Sequence, residues 1–150
     1  MPETIVGKNL GNLSLINQDG DTVSIGNYSG KKLILWWFPK ADTPGWTLEG
    51  EGFRDRIQDF KDRNVSIVGV SFDSPTDNCG FRDKFSFPYD LLSDTEGKMS
   101  DAFGVSEPGS ARPPRKSVLM GPDGKVAVTY DKVAPADHPD QVIEDLDSMS

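Results

Sequence analysis

Two short runs of β-type residues, Leu13-Ser-Leu-Ile16 and Thr22-Val-Ser-Ile25, flank the turn-rich tetrad Gln18-Asp-Gly-Asp21, and this alternation predicts an N-terminal β-hairpin. Lys32 to Phe38 is a nearly unbroken apolar run between Gly30 and Pro39, the pattern of a central strand buried on both faces, and Val65 to Val70 repeats it. Between the two, Phe53, Ile57 and Phe60 recur at helical spacing and stop before Asn64. Strand, helix, strand in that order implies a right-handed parallel crossover and an α/β sheet. Pro75 to Phe85 suits a second helix, with Asp73-Ser74 as its cap, proline in its first turn, and Phe81 and Phe85 on one face. A short helix is expected around Lys98 to Phe103, ending at Gly104. Lys116 to Met120 and Lys125 to Tyr130 enclose Gly121-Pro-Asp-Gly124, a tight turn between antiparallel strands, and the chain closes with a helix from about Pro139 to Met149. Glu107 to Pro114, rich in Pro, Gly and Ser, reads as a loop, and no internal repeat is found.

The chain has 150 residues, a length that fits a single domain over 1–150. Apolar residues make up 35 % and include 8 Phe, which argues for a packed core rather than disorder. The longest apolar run, Leu33 to Phe38, is far too short to span a bilayer, so no membrane partner is expected. A formal net charge of −8 with no Lys/Arg cluster would repel a phosphate backbone, which excludes nucleic acid. Residues Met1 to Asn9 lack the apolar core of a signal peptide, so a reducing, cytoplasmic setting is expected. Cys79 is the only cysteine and cannot form an intrachain disulfide, and the lone His138 excludes a His-rich zinc site.

Chemistry concentrates in Phe38-Pro-Lys-Ala-Asp-Thr-Pro-Gly-Trp-Thr-Leu-Glu49, which joins the end of a buried parallel strand to the start of a helix, where active sites gather. Thr43 is a good N-cap and Pro44 a good first helical residue, which puts Gly45 second and Trp46 third. Backbone N–H groups there have no intrahelical acceptor and favour an anion. A thiolate at this place would have its pKa lowered by those donors and by the helix dipole, whereas a tryptophan has no such use for them.

Pro39-x-x-x-Thr43-x-x-Trp46 resembles the peroxiredoxin signature PxxxTxxC with tryptophan in the cysteine's place, and the wider string from Phe38 to Asp55 is similar to the peroxiredoxin Q, or bacterioferritin comigratory protein, subfamily of AhpC/TSA-like proteins. Gly69-Val-Ser-Phe-Asp-Ser-Pro75, Phe87-Pro-Tyr-Asp-Leu-Leu-Ser-Asp94, Leu119-Met-Gly-Pro-Asp-Gly124 and His138-Pro-Asp-Gln-Val-Ile143 resemble further subfamily segments in order, so the resemblance covers nearly the whole chain. It implies a thioredoxin-like fold, a central mixed sheet flanked by helices. It also implies a thiol peroxidase for hydrogen peroxide and small organic hydroperoxides, drawing electrons from a thioredoxin or glutaredoxin-type reductant, monomeric and without metal, flavin or haem. By the same resemblance position 46 would hold the nucleophile, Thr43 would bond peroxide and thiolate, the N–H groups of Gly45 and residue 46 would polarise the peroxide, Arg115 would stabilise the developing charge, and Pro39 would shield the pocket.

Two positions depart from the family. The resolving cysteine that many members carry five residues after the nucleophile is Glu51 here, and the nucleophile itself is Trp46, whose indole cannot form a sulfenic acid. The chain as written is therefore expected to have little or no peroxidase activity. Trp46 also heads the helical stripe of 50, 53, 57 and 60, so three origins stand open: a natural member whose pocket was filled, an engineered substitution, or a UGA codon for selenocysteine rendered as tryptophan. The alternative function is a non-catalytic thioredoxin-fold binding or chaperone-like module.

Cys79 is either an incidental thiol or a resolving thiol for a nucleophile at 46; lying opposite the Phe81 and Phe85 face, it is expected to be exposed. His138 reads as a cap or surface residue, Arg54 and Asp55 as a site pair or a solvated salt bridge, and Trp36-Trp37 as core.

Overall fold

The computed structural model describes residues 14–28, 30–38, 44–95, 116–122, 125–130 and 137–149, the side chains at 27, 44–46 and 149 excepted. The expected helix at 98–103 and the expected loop at 107–114 lie outside them. The described strands are β1 (Ser14–Asn17), β2 (Thr22–Ser24), β3 (Lys32–Trp37), β4 (Val65–Ser71), β5 (Asp90–Ser93), β6 (Ser117–Met120) and β7 (Val126–Tyr130), and the helices are α1 (Pro44–Asp55), α2 (Ile57–Asp62), α3 (Pro75–Phe85) and α4 (His138–Met149), with a 3-10 turn over Ile25–Tyr28. The strands form one sheet in the order β2-β1-β5-β4-β3-β6-β7. It is mixed: β3 pairs parallel to β4, from Lys32 opposite Val65 to Trp37 opposite Val70, and antiparallel to β6.

Alternation along β3 divides the core. Ile34, Trp36 and Phe38 join Phe53, Phe60, Phe81, Val142 and Leu146, so that all four described helices contribute to this one apolar cluster. Leu33, Leu35 and Trp37 join Val68, Val70, Val118 and Met120 on the other side, where Val23, Ile25 and Tyr28 of the hairpin and the 3-10 turn complete the packing. Trp36 and Trp37 are wholly buried, each on its own face, as the central-strand reading requires.

Three local departures from the pattern have identifiable causes. The stripe from 53 to 60 is not one helix. It breaks at Arg56 (φ −107°, ψ 17°), whose guanidinium donates back to the Gly52 carbonyl and pairs with Asp140 of α4, although the bonds Arg56 N to Gly52 O and Phe60 N to Arg56 O carry the ladder across the break. Within the hairpin the turn is organised by Asn17, whose side-chain oxygen accepts from Asp19 N and Asp21 N at 3.0 Å each. Gln18 is thereby turned inward, accepting from Leu91 N at 2.8 Å and donating to Asp90 at 3.0 Å, and so pins the hairpin to β5.

The third departure corrects the surface reading of His138. This residue is fully buried at the first position of α4, edge-on to Phe53 at 5.9 Å and to Tyr130 at 4.8 Å. The cause lies next door. Pro139 sits so close over Gly52 that a Cβ there would stand 2.9 Å from its Cγ, and this contact seats α4 on α1 and turns the preceding imidazole into the core. Its Nδ1 faces Gln141 Oε1 at 3.1 Å while Nε2 has no hydrogen-bond partner among the described residues, and burial holds the ring's pKa below 6.5 against weaker raising by Gln141 and Asp145.

A depressed histidine pKa means the unfolded chain binds the proton more readily, so this contribution is present above pH 6.5 and is lost as pH falls through the folded value. Thermal denaturation from pH 7.5 to 5 should show that loss, and a His138→Phe variant should lack about 1 kcal/mol of it. Equal slopes for the two proteins would mean that the imidazole does not titrate against the fold.

Among the described residues no helix is long and apolar enough to cross a membrane.

Candidate active site

The parallel pair β3 and β4 ends at Trp37 and Val70, with Phe38 N bonded to Val70 O at 3.0 Å, and the next described element is α1, whose first residue is Pro44. Residue 46 is therefore third in that helix, as the Thr43-Pro44 signal predicts. In this first turn the backbone N–H groups have no partner within the helix. Pro39, Thr43 and Arg115, and the side chain of Trp46, lie outside the described residues, whereas the backbone of Gly45 lies within α1. What is described beside Arg115 is Lys116, whose carbonyl accepts from Trp37 N at 3.0 Å, so β6 enters the sheet at the end of β3 from which α1 departs.

Behind the first turn of α1 the packing is close. A Cβ on Gly50 would stand 2.6 Å from Phe87 Cζ and 3.2 Å from the Trp36 ring, so only glycine lets the helix lie this near the sheet. The Tyr89 hydroxyl donates to the Gly50 carbonyl at 3.0 Å, and Trp36 packs against Phe38, Phe53 and Tyr89 at ring separations of 4.9, 5.8 and 6.2 Å.

Into this apolar bed the helix sends a carboxyl group. Glu49 is completely buried, and neither of its oxygens has a hydrogen-bond partner among the described residues. Burial pushes its pKa well above the usual carboxylate value, which favours the protonated acid. Trp36 Nε1, Thr47 Oγ1 and Ser117 Oγ are likewise buried without partners among the described residues, and each belongs to the end of β3, the start of α1 or the start of β6. The sequence reading passed over Glu49, yet its spacing carried the signal: three residues after 46 and four before Phe53, it lies on the inward face of α1.

Arg54 and Asp55 form an exposed pair at 3.0 Å, and the same guanidinium donates to the Phe85 carbonyl at 2.7 Å, tying α1 to the last turn of α3. On α3, Ser74 caps the helix by accepting from Asp77 N at 3.2 Å, and the buried Asn78 bridges Ser71 of β4 and Ser93 of β5 at 3.3 and 3.1 Å. Cys79, the next residue, is half-buried rather than fully exposed, with its sulfur 3.6 Å from Asp83 Oδ2. Desolvation, reinforced by that carboxylate, raises its thiol pKa.

A parallel strand followed in the chain by a helix, within a mixed seven-stranded sheet flanked by helices, is the arrangement of thioredoxin-like folds. Residues 6–129 match the AhpC/TSA family model, and the chain belongs to that family. It is 32 % identical over 138 residues to a chloroplastic peroxiredoxin Q of Suaeda salsa, covering 91 % of this chain but only 64 % of that protein's length. To peroxiredoxin Bcp of Bacillus subtilis it is 32 % identical over 151 residues, covering 97 % of this chain and 96 % of the relative. Among solved structures, a Xanthomonas campestris bacterioferritin comigratory protein, described for its alkyl peroxide reduction activity, superposes with a TM-score of 0.88 at 27 % identity over 99 % of both chains.

Proposed function

We propose that this chain is a peroxiredoxin Q-type thiol peroxidase scaffold for hydrogen peroxide and small organic hydroperoxides, reduced by a thioredoxin or glutaredoxin-type donor, in which Trp46 occupies the nucleophile's position and silences the chemistry. The observation that carries it is the start of α1 at Pro44, which sets residue 46 in a helical first turn at the end of β3.

A thiolate or selenolate at position 46 would attack one peroxide oxygen. The S–O or Se–O bond forms as the O–O bond breaks, the chalcogen is oxidised, and the departing oxygen takes a proton to leave as water or alcohol. The roles assigned to Thr43, the Gly45 and residue 46 amides, Arg115 and Pro39 are bonding the peroxide, polarising it, stabilising charge and excluding water. Tryptophan offers none of the lone-pair chemistry of a chalcogenolate. Cysteine or selenocysteine as the natural residue is supported by the retention of Pro39, Thr43 and Arg115 around position 46. A UGG codon in the source gene would refute a recoded UGA.

Cys79 is a candidate resolving thiol, supported by its partial exposure on α3. The second reading, a non-catalytic binding module, is favoured by Trp46 itself, which continues the apolar stripe toward Phe53. Peroxide consumption by a Trp46→Cys variant with a thioredoxin-type reductant separates the two: turnover supports the silenced peroxidase, and its absence in a folded variant supports the binding module.

A further inference from the structure

We propose that a cleft at the opposite end of the sheet from position 46 binds a small organic oxyanion, a carboxylate or phosphate ester carried on an apolar body. The cleft has a volume of about 430 Å³, within the range of small-molecule sites, and lies where β4 and β5 begin rather than where they end. Its rim carries Lys31 and Lys61, and its walls include Tyr28, Ile57, Pro88 and Asp90.

The two ammonium groups are conspicuous in their setting. In a chain with a net charge of −8, Arg54, Arg56, Arg63 and Arg82 each hold a carboxylate. Lys31 and Lys61 have no such partner among the described residues, although both face one concavity. The single carboxylate in the cleft, Asp90, is already engaged by Gln18 Nε2 at 3.0 Å, so the lining carries a net charge of one positive unit.

The backbone also holds the two lysine-bearing turns in register. Lys31 N donates to Tyr28 O and Asn64 N to Lys61 O, each at 3.0 Å, closing the two turns that present the lysines. Asn64, in the left-handed region at φ 59°, then joins the turns: its side chain donates to Gly30 O at 3.1 Å while its carbonyl accepts from Lys32 N at 3.0 Å. A cross-linked pair of turns presents two cations without the ordering cost of a mobile loop. Tyr28 also lines the cleft, and its hydroxyl, pushed up to about 12 by burial and by Asp90, keeps its proton as a donor. The oxyanion would lie between the lysines, with its apolar body against Ile57 and Pro88.

The test is an amide NMR titration of the full chain with phenyl phosphate and with benzoate, alongside phenol and inorganic phosphate. Saturable shifts confined to the 28–31, 57–67 and 88–90 segments, with either oxyanion binding at least about tenfold more tightly than phenol or inorganic phosphate, support the proposal. A Lys31→Ala/Lys61→Ala double variant, in which exposed side chains are trimmed, should keep the fold's spectrum and weaken binding by about tenfold. Absence of saturable shifts, affinity equal to that for phenol, or unchanged affinity in the double variant would overturn it.

Discussion

Trp46→Cys is expected to raise thiol-dependent peroxide consumption by about a thousandfold or more over the unmodified chain, which should stay at the background set by free thiol. The size of the effect follows from what is removed and what remains. A covalent nucleophile supplies the reaction path itself, whereas the donors proposed around position 46 would act only on a reacting oxygen that an attacker has reached. The new thiol would sit third in α1, beside amides that lack intrahelical acceptors and at the positive end of a twelve-residue helix, conditions that lower a thiol's pKa and hold it as thiolate near neutrality. Stopped-flow peroxide decay with the reductant in excess measures the gain, and iodoacetamide alkylation against pH reads the thiolate separately. An acidic thiol without turnover would mean the cradle survives but the peroxide cannot be bound. A thiol of ordinary pKa would mean the first turn does not act on residue 46 at all.

How much of this was legible depended on whether a residue's fate was set locally. The runs at 32–38 and 65–70 announced β3 and β4 because a strand buried on both faces must be apolar throughout. Ser74-Pro75 marked the start of α3 because capping chemistry is decided within a few residues, and α1 begins at Pro44, a residue type that suits a first helical position. What escaped was decided by partners far along the chain. β5 is a four-residue strand that exists by pairing with β4 and β1, and it carries no pattern strong enough to stand alone. His138 is buried because Pro139 meets Gly52, a contact that spacing along α4 does not show. Glu49 escaped for a different reason: a charged residue type argues for solvent, and only its place on the α1 stripe argued for the interior.

That buried carboxyl group gives the second large effect, a stability difference that grows with pH. Glu49 has its folded pKa raised by burial, so the stability it contributes is fully present below the unfolded carboxyl value of 4.5 and is lost as pH rises toward the folded one. A Glu49→Gln variant keeps the shape and a polar end but has no proton to lose. Near pH 4.5 the two proteins should denature alike, and by pH 8 the Gln variant should be the more stable by about 2 kcal/mol in urea titrations. A constant difference across that range would show that the carboxylate has found a compensating cation and is ionised throughout. The same protonation bears on the site. Glu49 lies one helical turn beyond position 46, where a negative charge would work against a thiolate; as a neutral acid it leaves the helix's first turn free to favour one. In the Trp46→Cys background, Glu49→Gln should therefore leave the thiol's pKa within about half a unit, whereas Glu49→Lys, if it folds, should lower it.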